Sequence, residues 1–250
     1  MRFFFAGFLI GVANLIPGVS GGTMAVLTGV YEKLITSISN ILKFQWKDIK
    51  LLLVVGVGAL SSIFLLSKFF EYSLDKFPFY MYSFFFGLIF ASLFYLKKDT
   101  KISIIPLLIG IVVVIIPYFL PHSSDSSIIR MIFAGFAGGA AMVIPGLSGS
   151  LMMLLFGVYG DIIGAISNFE VKILLIFGIG VLLGIYFISF VMKIAFEKYK
   201  NFTKNLILGL VIGSLYSVLP NLHGTGSFIV GGIFALLGYF VSSALGKYMV

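Results

Sequence analysis

Residues 16–23 read IPGVSGGT and residues 144–151 read IPGLSGSL, so one motif occurs twice in this chain at an offset of 128. Around the motif, residues 2–35 align with residues 130–163 without a gap, and eighteen of the thirty-four aligned positions are identical. A match of this length without a gap is not a chance event. The sequence therefore predicts a duplicated protein whose two halves each begin with one copy of the motif.

Composition places this chain in the lipid bilayer. Of its 250 residues, 60% are hydrophobic and 10% are charged, whereas a soluble domain carries about 25% charged residues. A soluble chain of this length cannot hide so much apolar surface in one core, so we expect an all-α integral membrane protein. The net charge of +8 is typical of lysine-rich cytoplasmic loops and does not indicate nucleic-acid binding. The absence of cysteine excludes disulfides and thiolate metal sites.

The apolar segments fall into two kinds by length. A transmembrane helix needs about 20 residues, and six segments satisfy this requirement: residues 50–67, 79–96, 102–120, 172–192, 205–220 and 227–245. The motif segments, residues 3–31 and 131–159, are interrupted at their centres and are too short for two full crossings. We expect each to be a re-entrant helical hairpin with limbs of about 13 residues, reaching about 20 Å into the bilayer. Two short, tilted crossings are the alternative.

Lysines predict the orientation of the chain. They concentrate in three connections and at the C-terminus, which the positive-inside rule assigns to the cytoplasm. These lysines are Lys33, Lys43, Lys47 and Lys50; Lys97, Lys98 and Lys101; Lys193, Lys198, Lys200 and Lys204; and Lys247. One hairpin and three spans in each half give an odd number of crossings. The second half, residues 125–250, is therefore predicted to be inverted relative to the first, residues 1–124, with both termini in the cytoplasm.

Each motif is suited to break a helix inside the membrane and to bind an anion there. Pro17 and Pro145 each remove a backbone donor, and the following Gly18 and Gly146 permit conformations that other residues avoid. Irregular backbone at this depth is tolerated only where it is buried in protein or lines a polar cavity. The second limb would begin with free N–H groups and hydroxyls, which suit phosphate. The candidate ligands are Ser20, Gly21, Gly22, Thr23, Ser148, Gly149 and Ser150.

Four charged residues flank the hairpins. Arg2 and Arg130 occupy the same repeat position and are further candidates for binding an anionic head group. Arg130 is the stronger candidate, because Arg2 lies on the lysine-rich side, where a snorkelling arginine is common. Glu32 and Asp161 follow the hairpins and are candidates for proton coupling or for pairing with the arginines. The spans and hairpins contain no acid, so we expect no metal and no cofactor.

At these motifs the chain resembles the polyprenyl-phosphate transporter family. The resemblance rests on Pro17 to Thr23 followed by Gly29-Val30-Tyr31-Glu32, and on Pro145 to Ser150 followed by Gly157-Val158-Tyr159. It implies transport of undecaprenyl phosphate from the outer to the cytoplasmic leaflet of a bacterial plasma membrane, for reuse in cell-wall synthesis. In that family an acid often precedes the first motif, where this chain has Asn14. A coupling role at this position is therefore in doubt.

Several other interpretations compete with lipid transport. In one of them the motifs serve only close helix packing, as small-xxx-small contacts do. A membrane-embedded polyprenyl-diphosphate phosphatase would need a nucleophile or metal with acids or histidine nearby, and the predicted membrane segments offer none. A transporter of small soluble anions would carry ions independently of lipid phosphate. The sequence leaves homo-oligomerisation open.

Overall fold

The computed structural model describes residues 1–16, 19–98, 100–119 and 128–249, and all regular structure in these ranges is helical. The first half contains α1 (Arg2–Asn14), α2 (Gly21–Leu27), α3 (Tyr31–Ser39), α4 (Trp46–Lys76), α5 (Pro78–Lys98) and α6 (Ile104–Ile115). The second contains α7 (Ile128–Val143), α8 (Gly149–Leu155), α9 (Tyr159–Ser167), α10 (Val171–Lys198), α11 (Lys200–Ser214) and α12 (Phe228–Met249). Short 3-10 turns lie at Ile41–Lys43, Ile116–Phe119, Tyr216–Val218 and Pro220–Leu222. The predicted helix-breaking residues Pro17 and Gly18 lie outside the described residues.

The helices occur in the same order in both halves. In each half two helices flank the motif, a nine-residue helix follows, and three more helices complete the half. The first helix of each half packs along the fourth, α1 on α4 and α7 on α10. The last two helices pack across the halves instead, α5 on α12 and α6 on α11. The halves are thus interlocked and share one packed interior.

Glycines allow these helix pairs to approach closely. A Cβ atom on Gly7 or Gly11 of α1 would collide with backbone carbonyls of α4, at Val55 and Ala59. Gly135 and Gly139 of α7 meet the backbone of α10 in the same way. Small residues four apart on one helix face are typical of helix contacts in membranes. Close packing of this kind therefore occurs at glycines that lie outside the motif.

The outer surface of the helix assembly is apolar. Leu53, Leu60 and Phe64 of α4 are more than half exposed, and so are Leu175 and Leu182 of α10. Water does not tolerate contiguous apolar surface on this scale, whereas lipid tails do. Within the described residues, α4 and α10 are long and apolar enough to cross a membrane, and several shorter apolar helices accompany them. The protein is therefore a helical membrane protein.

The predicted spans match the helices unevenly. Three of them lie within α4, α5 and α10, and a fourth, residues 227–245, begins one residue before α12. Helices α4 and α10 extend well beyond the predicted ends. The segment 102–120 is shorter as an α-helix, because α6 ends at Ile115 and a 3-10 turn containing Pro117 follows. Proline has no N–H to donate, so the α-helical hydrogen-bond pattern cannot continue there. The segment 205–220 likewise ends its α-helix at Ser214.

The second helix of each motif segment is shorter than predicted. We expected limbs of about 13 residues, but α2 and α8 contain seven residues each. Both helices end in the same turn, in which Gly29 (φ 65°) and Gly157 (φ 71°) adopt the left-handed conformation. The next amide then donates back into the helix, from Val30 N to Ala25 O and from Val158 N to Met153 O, each at 3.0 Å. This is a Schellman turn, and it starts α3 and α9, which we did not predict.

The lysine-rich segments meet at one end of the molecule. Lys193 of α10 donates a hydrogen bond to Asn40, which follows α3, at 3.0 Å. Asn205 of α11 donates to Lys101 O and accepts from Ser103 N, both at 2.9 Å. These contacts join the three groups of lysines that the sequence assigns to the cytoplasm.

Candidate functional site

The two motif copies contact each other directly. Thr23 Oγ1 accepts a hydrogen bond from Gly146 N at 2.9 Å, and Ser20 Oγ donates to Ile144 O at 3.3 Å. Gly22 packs against the same backbone, where an added Cβ would lie 2.5 Å from Val143 O. Only a residue without a side chain fits this approach. Ser20, Gly22 and Thr23 therefore hold the two motif turns together.

A cavity of about 400 Å³ lies beside this contact; we call it the tip cavity. Five of the nine predicted head-group ligands line it: Ser20, Gly21, Ser148, Gly149 and Ser150. Gly22 and Thr23 do not line it. Asn14, at the end of α1, also lines it and lies close to Gly21. The structure thus gathers backbone and hydroxyl groups from both motif copies, together with Asn14, around one space.

The polar groups of the tip cavity are neutral. Ser148 Oγ and Ser150 Oγ lie 2.8 Å apart and share one hydrogen bond, in which either can donate. One hydroxyl hydrogen of the pair therefore stays available to an acceptor. The starts of α2 and α8 supply N–H groups that have no partner within their own helices. Among the described residues that line the cavity, none is charged. An anion there would be held by hydrogen bonds alone.

The two arginines lie away from the tip cavity, at the starts of α1 and α7. A 13-residue helix places its two ends about 20 Å apart. Arg2 Nη2 donates to Gly29 O at 3.2 Å and to Thr28 O at 3.5 Å, at the carbonyl end of α2. Arg2 therefore ties the end of α2 to the beginning of α1. Arg130 is half-buried near the start of α7.

The candidate coupling acids also lie outside the tip cavity. Glu32 is exposed in the first turn of α3, and Asp161 is half-buried in the first turn of α9. Neither acid lines the tip cavity, whereas Asn14 does. Of the three residues considered for coupling, the structure brings only Asn14 next to the motif.

Some residues that line the tip cavity could not be identified as site residues from the sequence. Ile63 of α4 and Phe177 of α10 contribute apolar wall, although neither belongs to the repeated motif. Their side chains resemble any other apolar residue of a span. No pattern in the sequence separates the residues of a span that face a cavity from those that face lipid.

Comparison with known proteins gives a consistent result. Residues 10–229 match the family described as undecaprenyl phosphate translocase-like. A polyprenyl-phosphate transporter of Staphylococcus aureus is 35% identical over 96% of this chain and 94% of its own length. A polyprenyl-phosphate transporter of Vibrio cholerae is 31% identical over 86% of this chain and 76% of its own length. No solved structure matches the chain.

Proposed function

Because the chain belongs to the undecaprenyl phosphate translocase-like family, we propose that it transports undecaprenyl phosphate or a related polyprenyl phosphate. The lipid moves from the outer to the cytoplasmic leaflet of a bacterial plasma membrane, where it is reused in cell-wall synthesis. The relatives named polyprenyl-phosphate transporters support this substrate. In this proposal the chain is a transporter and not an enzyme.

The observation that carries the proposal is the tip cavity. It combines Ser20 and Gly21 of one motif copy with Ser148, Gly149 and Ser150 of the other. A lipid phosphate needs a polar path for its head group while its tail stays in the bilayer. A transport site must also release what it binds, so favourable but weak binding is required. Neutral hydroxyl and N–H donors meet both requirements.

We propose an inverted-repeat architecture around this cavity. Residues 1–124 and 125–250 form two membrane repeats of opposite orientation, each with a re-entrant hairpin and three spans. The contact of Arg2 with Gly29 brings the two ends of the first motif segment together, which supports a hairpin that begins and ends on the same side of the membrane. The lysine-rich segments lie together at one end of the molecule. The positive-inside rule assigns that end to the cytoplasm, which supports cytoplasmic termini. Rocking of the two halves would then expose the tip cavity to each side in turn.

The remaining candidates receive separate roles. Arg130 attracts the anionic head group on the outer side, where lysines are scarce. Asn14 donates a hydrogen bond inside the tip cavity and carries no coupling proton, because an amide stays neutral at every physiological pH. Glu32 and Asp161 lie where protons can be exchanged with water, outside the tip cavity.

Lipid flipping in reconstituted vesicles tests the site. A fluorescent polyprenyl phosphate is added, and its accessibility to a membrane-impermeant quencher is followed with time. A Ser148→Ala, Ser150→Ala double variant should flip the lipid about tenfold more slowly or worse, since a hydrogen bond to a charged group contributes about 1.5–3 kcal/mol. Ser189→Ala is the matched control, because Ser189 is a buried serine of α10 that does not line the cavity.

Two outcomes would contradict the proposal. A normal flipping rate for the double variant would remove the tip cavity from the transport path. Phosphate release from a polyprenyl diphosphate, or lipid-independent flux of small anions, would instead support the competing phosphatase or the soluble-anion transporter.

A further inference from the structure

A second cavity lies at the opposite end of α2 from the tip cavity. Its volume is about 360 Å³, and we call it the lysine-side cavity. Residues of α2, α3, α5, α10, α11 and α12 line it, among them Tyr31, Glu32, Lys33, Leu96, Lys204 and Ser242. The two cavities share no lining residue. A helix of seven residues separates them by about 10 Å along its axis.

Two residues that line this cavity carry a buried hydroxyl group for which the described part of the chain provides no hydrogen-bond partner. The two hydroxyls are Tyr31 Oη, at the start of α3, and Ser242 Oγ in α12, and both side chains are almost completely buried. A buried polar group without a partner costs free energy, so such groups are rare unless a ligand or water satisfies them. Both hydroxyls are donors and both residues line one cavity. They point to an acceptor that binds there.

The charge of the lysine-side cavity identifies the kind of acceptor. Lys33, Lys204 and Glu32 all line it, and their side-chain charges sum to one net positive charge. Arg2 does not line the cavity, but its guanidinium is hydrogen-bonded to the carbonyl oxygen of Gly29, a residue that does. A phosphate monoester carries about two negative charges and three acceptor oxygens, so it suits a cavity with net positive charge and hydroxyl donors. The tip cavity, by contrast, has no charged side chain among its described lining residues.

We infer that the lysine-side cavity is a second binding site, which takes the phosphate monoester head group of a polyprenyl lipid. The binding itself stands on the cavity, but the direction of passage rests on the proposed function. On the inward path the head group leaves the neutral tip cavity, passes α2 and arrives among lysines near the cytoplasm. The stronger positive charge at the second site favours that order of occupancy. This assigns a role to the tyrosine of the Gly-Val-Tyr sequence, which the tip cavity leaves unexplained.

Cysteine protection measures each cavity separately, because the natural chain contains no cysteine. Leu96→Cys reports on the lysine-side cavity and Met142→Cys on the tip cavity, since each residue lines only one of them. The full-length protein in nanodiscs is treated with a thiol reagent at increasing concentrations of farnesyl phosphate, a short polyprenyl phosphate. We expect farnesyl phosphate to slow labelling of L96C, and farnesol, which has no phosphate, to leave it unchanged.

The decisive variant combines Tyr31→Phe with Ser242→Ala, which removes both hydroxyls and keeps most of the packing volume. It should raise about tenfold the concentration of farnesyl phosphate that halves the labelling rate of L96C (the half-protecting concentration). This is the effect of losing a hydrogen bond to a charged group. The half-protecting concentration at M142C should not change. The matched control combines Tyr159→Phe and Ser189→Ala, which change the repeat-equivalent tyrosine and another unpartnered buried serine. This control should leave protection at L96C unchanged.

Each result bears on a different part of the inference. Unchanged protection of L96C in the hydroxyl-free variant would overturn the site. Equal protection by inorganic phosphate would overturn its assignment to a lipid, and protection by farnesol would overturn its assignment to the head group. Failure of the wild-type protein to flip lipid, with protection of L96C retained, would contradict the proposed function but not this site.

Discussion

The short helices α2 and α8, which follow the two motif prolines, have the same local structure but very different surroundings. All seven residues of α2 are buried, whereas none of the seven residues of α8 is. Both helices begin after a serine, at Ser20 or Ser148, and both end in the same glycine turn. The difference in burial therefore does not arise from the conformation of the two helices themselves. It arises because α2 contacts α5, α7 and α12, while α8 contacts mainly α7 and its own neighbours.

The helices that follow the motif segments differ in the same way. α3 packs on its own half through α4 and on the other half through α10, where Asn40 accepts from Lys193. α9 packs mainly on α10 and α8 of its own half. Elements with fewer buried contacts open locally at lower free energy. We therefore expect the second motif segment to open more easily than the first.

The largest difference between the two copies is expected at Gly22 and its repeat equivalent Ser150. Gly22→Val places a branched side chain against the backbone of Val143 and Ile144, and overpacking of this kind costs about 3 kcal/mol. Ser150→Val should cost less than about 1 kcal/mol, because Ser150 is half-exposed. Thermal unfolding in detergent, followed by size-exclusion chromatography, measures both. Equal loss of stability would contradict the difference in burial.

A smaller effect is expected at Thr23, whose hydroxyl satisfies the Gly146 N–H across the contact. Thr23→Val keeps the shape but leaves that buried amide without an acceptor, which costs about 1–3 kcal/mol. Thr23→Ser keeps the hydroxyl and should retain most of the stability in the same unfolding assay. If both variants unfold at the wild-type temperature, the hydrogen bond between the two copies contributes nothing.

The smallest effect is expected at Arg2, which bonds the carbonyls at the end of α2 from an exposed position. Arg2→Gln should lower stability by about 0.5–1.5 kcal/mol, the usual net contribution of such a hydrogen bond. Arg2→Lys keeps the charge at the carbonyl end of the helix and should lower stability less. Hydrogen exchange of the α2 amides should increase in Arg2→Gln and remain unchanged in α8. An increase in both helices would show that Arg2 acts on the whole fold and not on the first hairpin.

Much of the architecture could be read from the sequence because it depends on local chemistry. The offset of 128 revealed the duplication, and the composition identified the bilayer as solvent. Pro145 accounts for the end of α7 two residues earlier. The lengths of α2 and α8 were not predictable in the same way, because an apolar run continues through Val30 and Val158 after each turn.

What each motif residue does was decided by the tertiary structure. The sequence offered Ser20, Thr23 and Ser148 as equivalent hydroxyl donors for an anion. In the folded protein Ser20 and Thr23 bond to the backbone of the second motif copy, whereas Ser148 bonds to Ser150. Ser20, Ser148 and Ser150 line the tip cavity, and Thr23 does not. A repeat in sequence fixes backbone conformation, since that follows from neighbouring residues. Burial and hydrogen-bond partners depend on residues more than one hundred positions away, and these differ between the two copies.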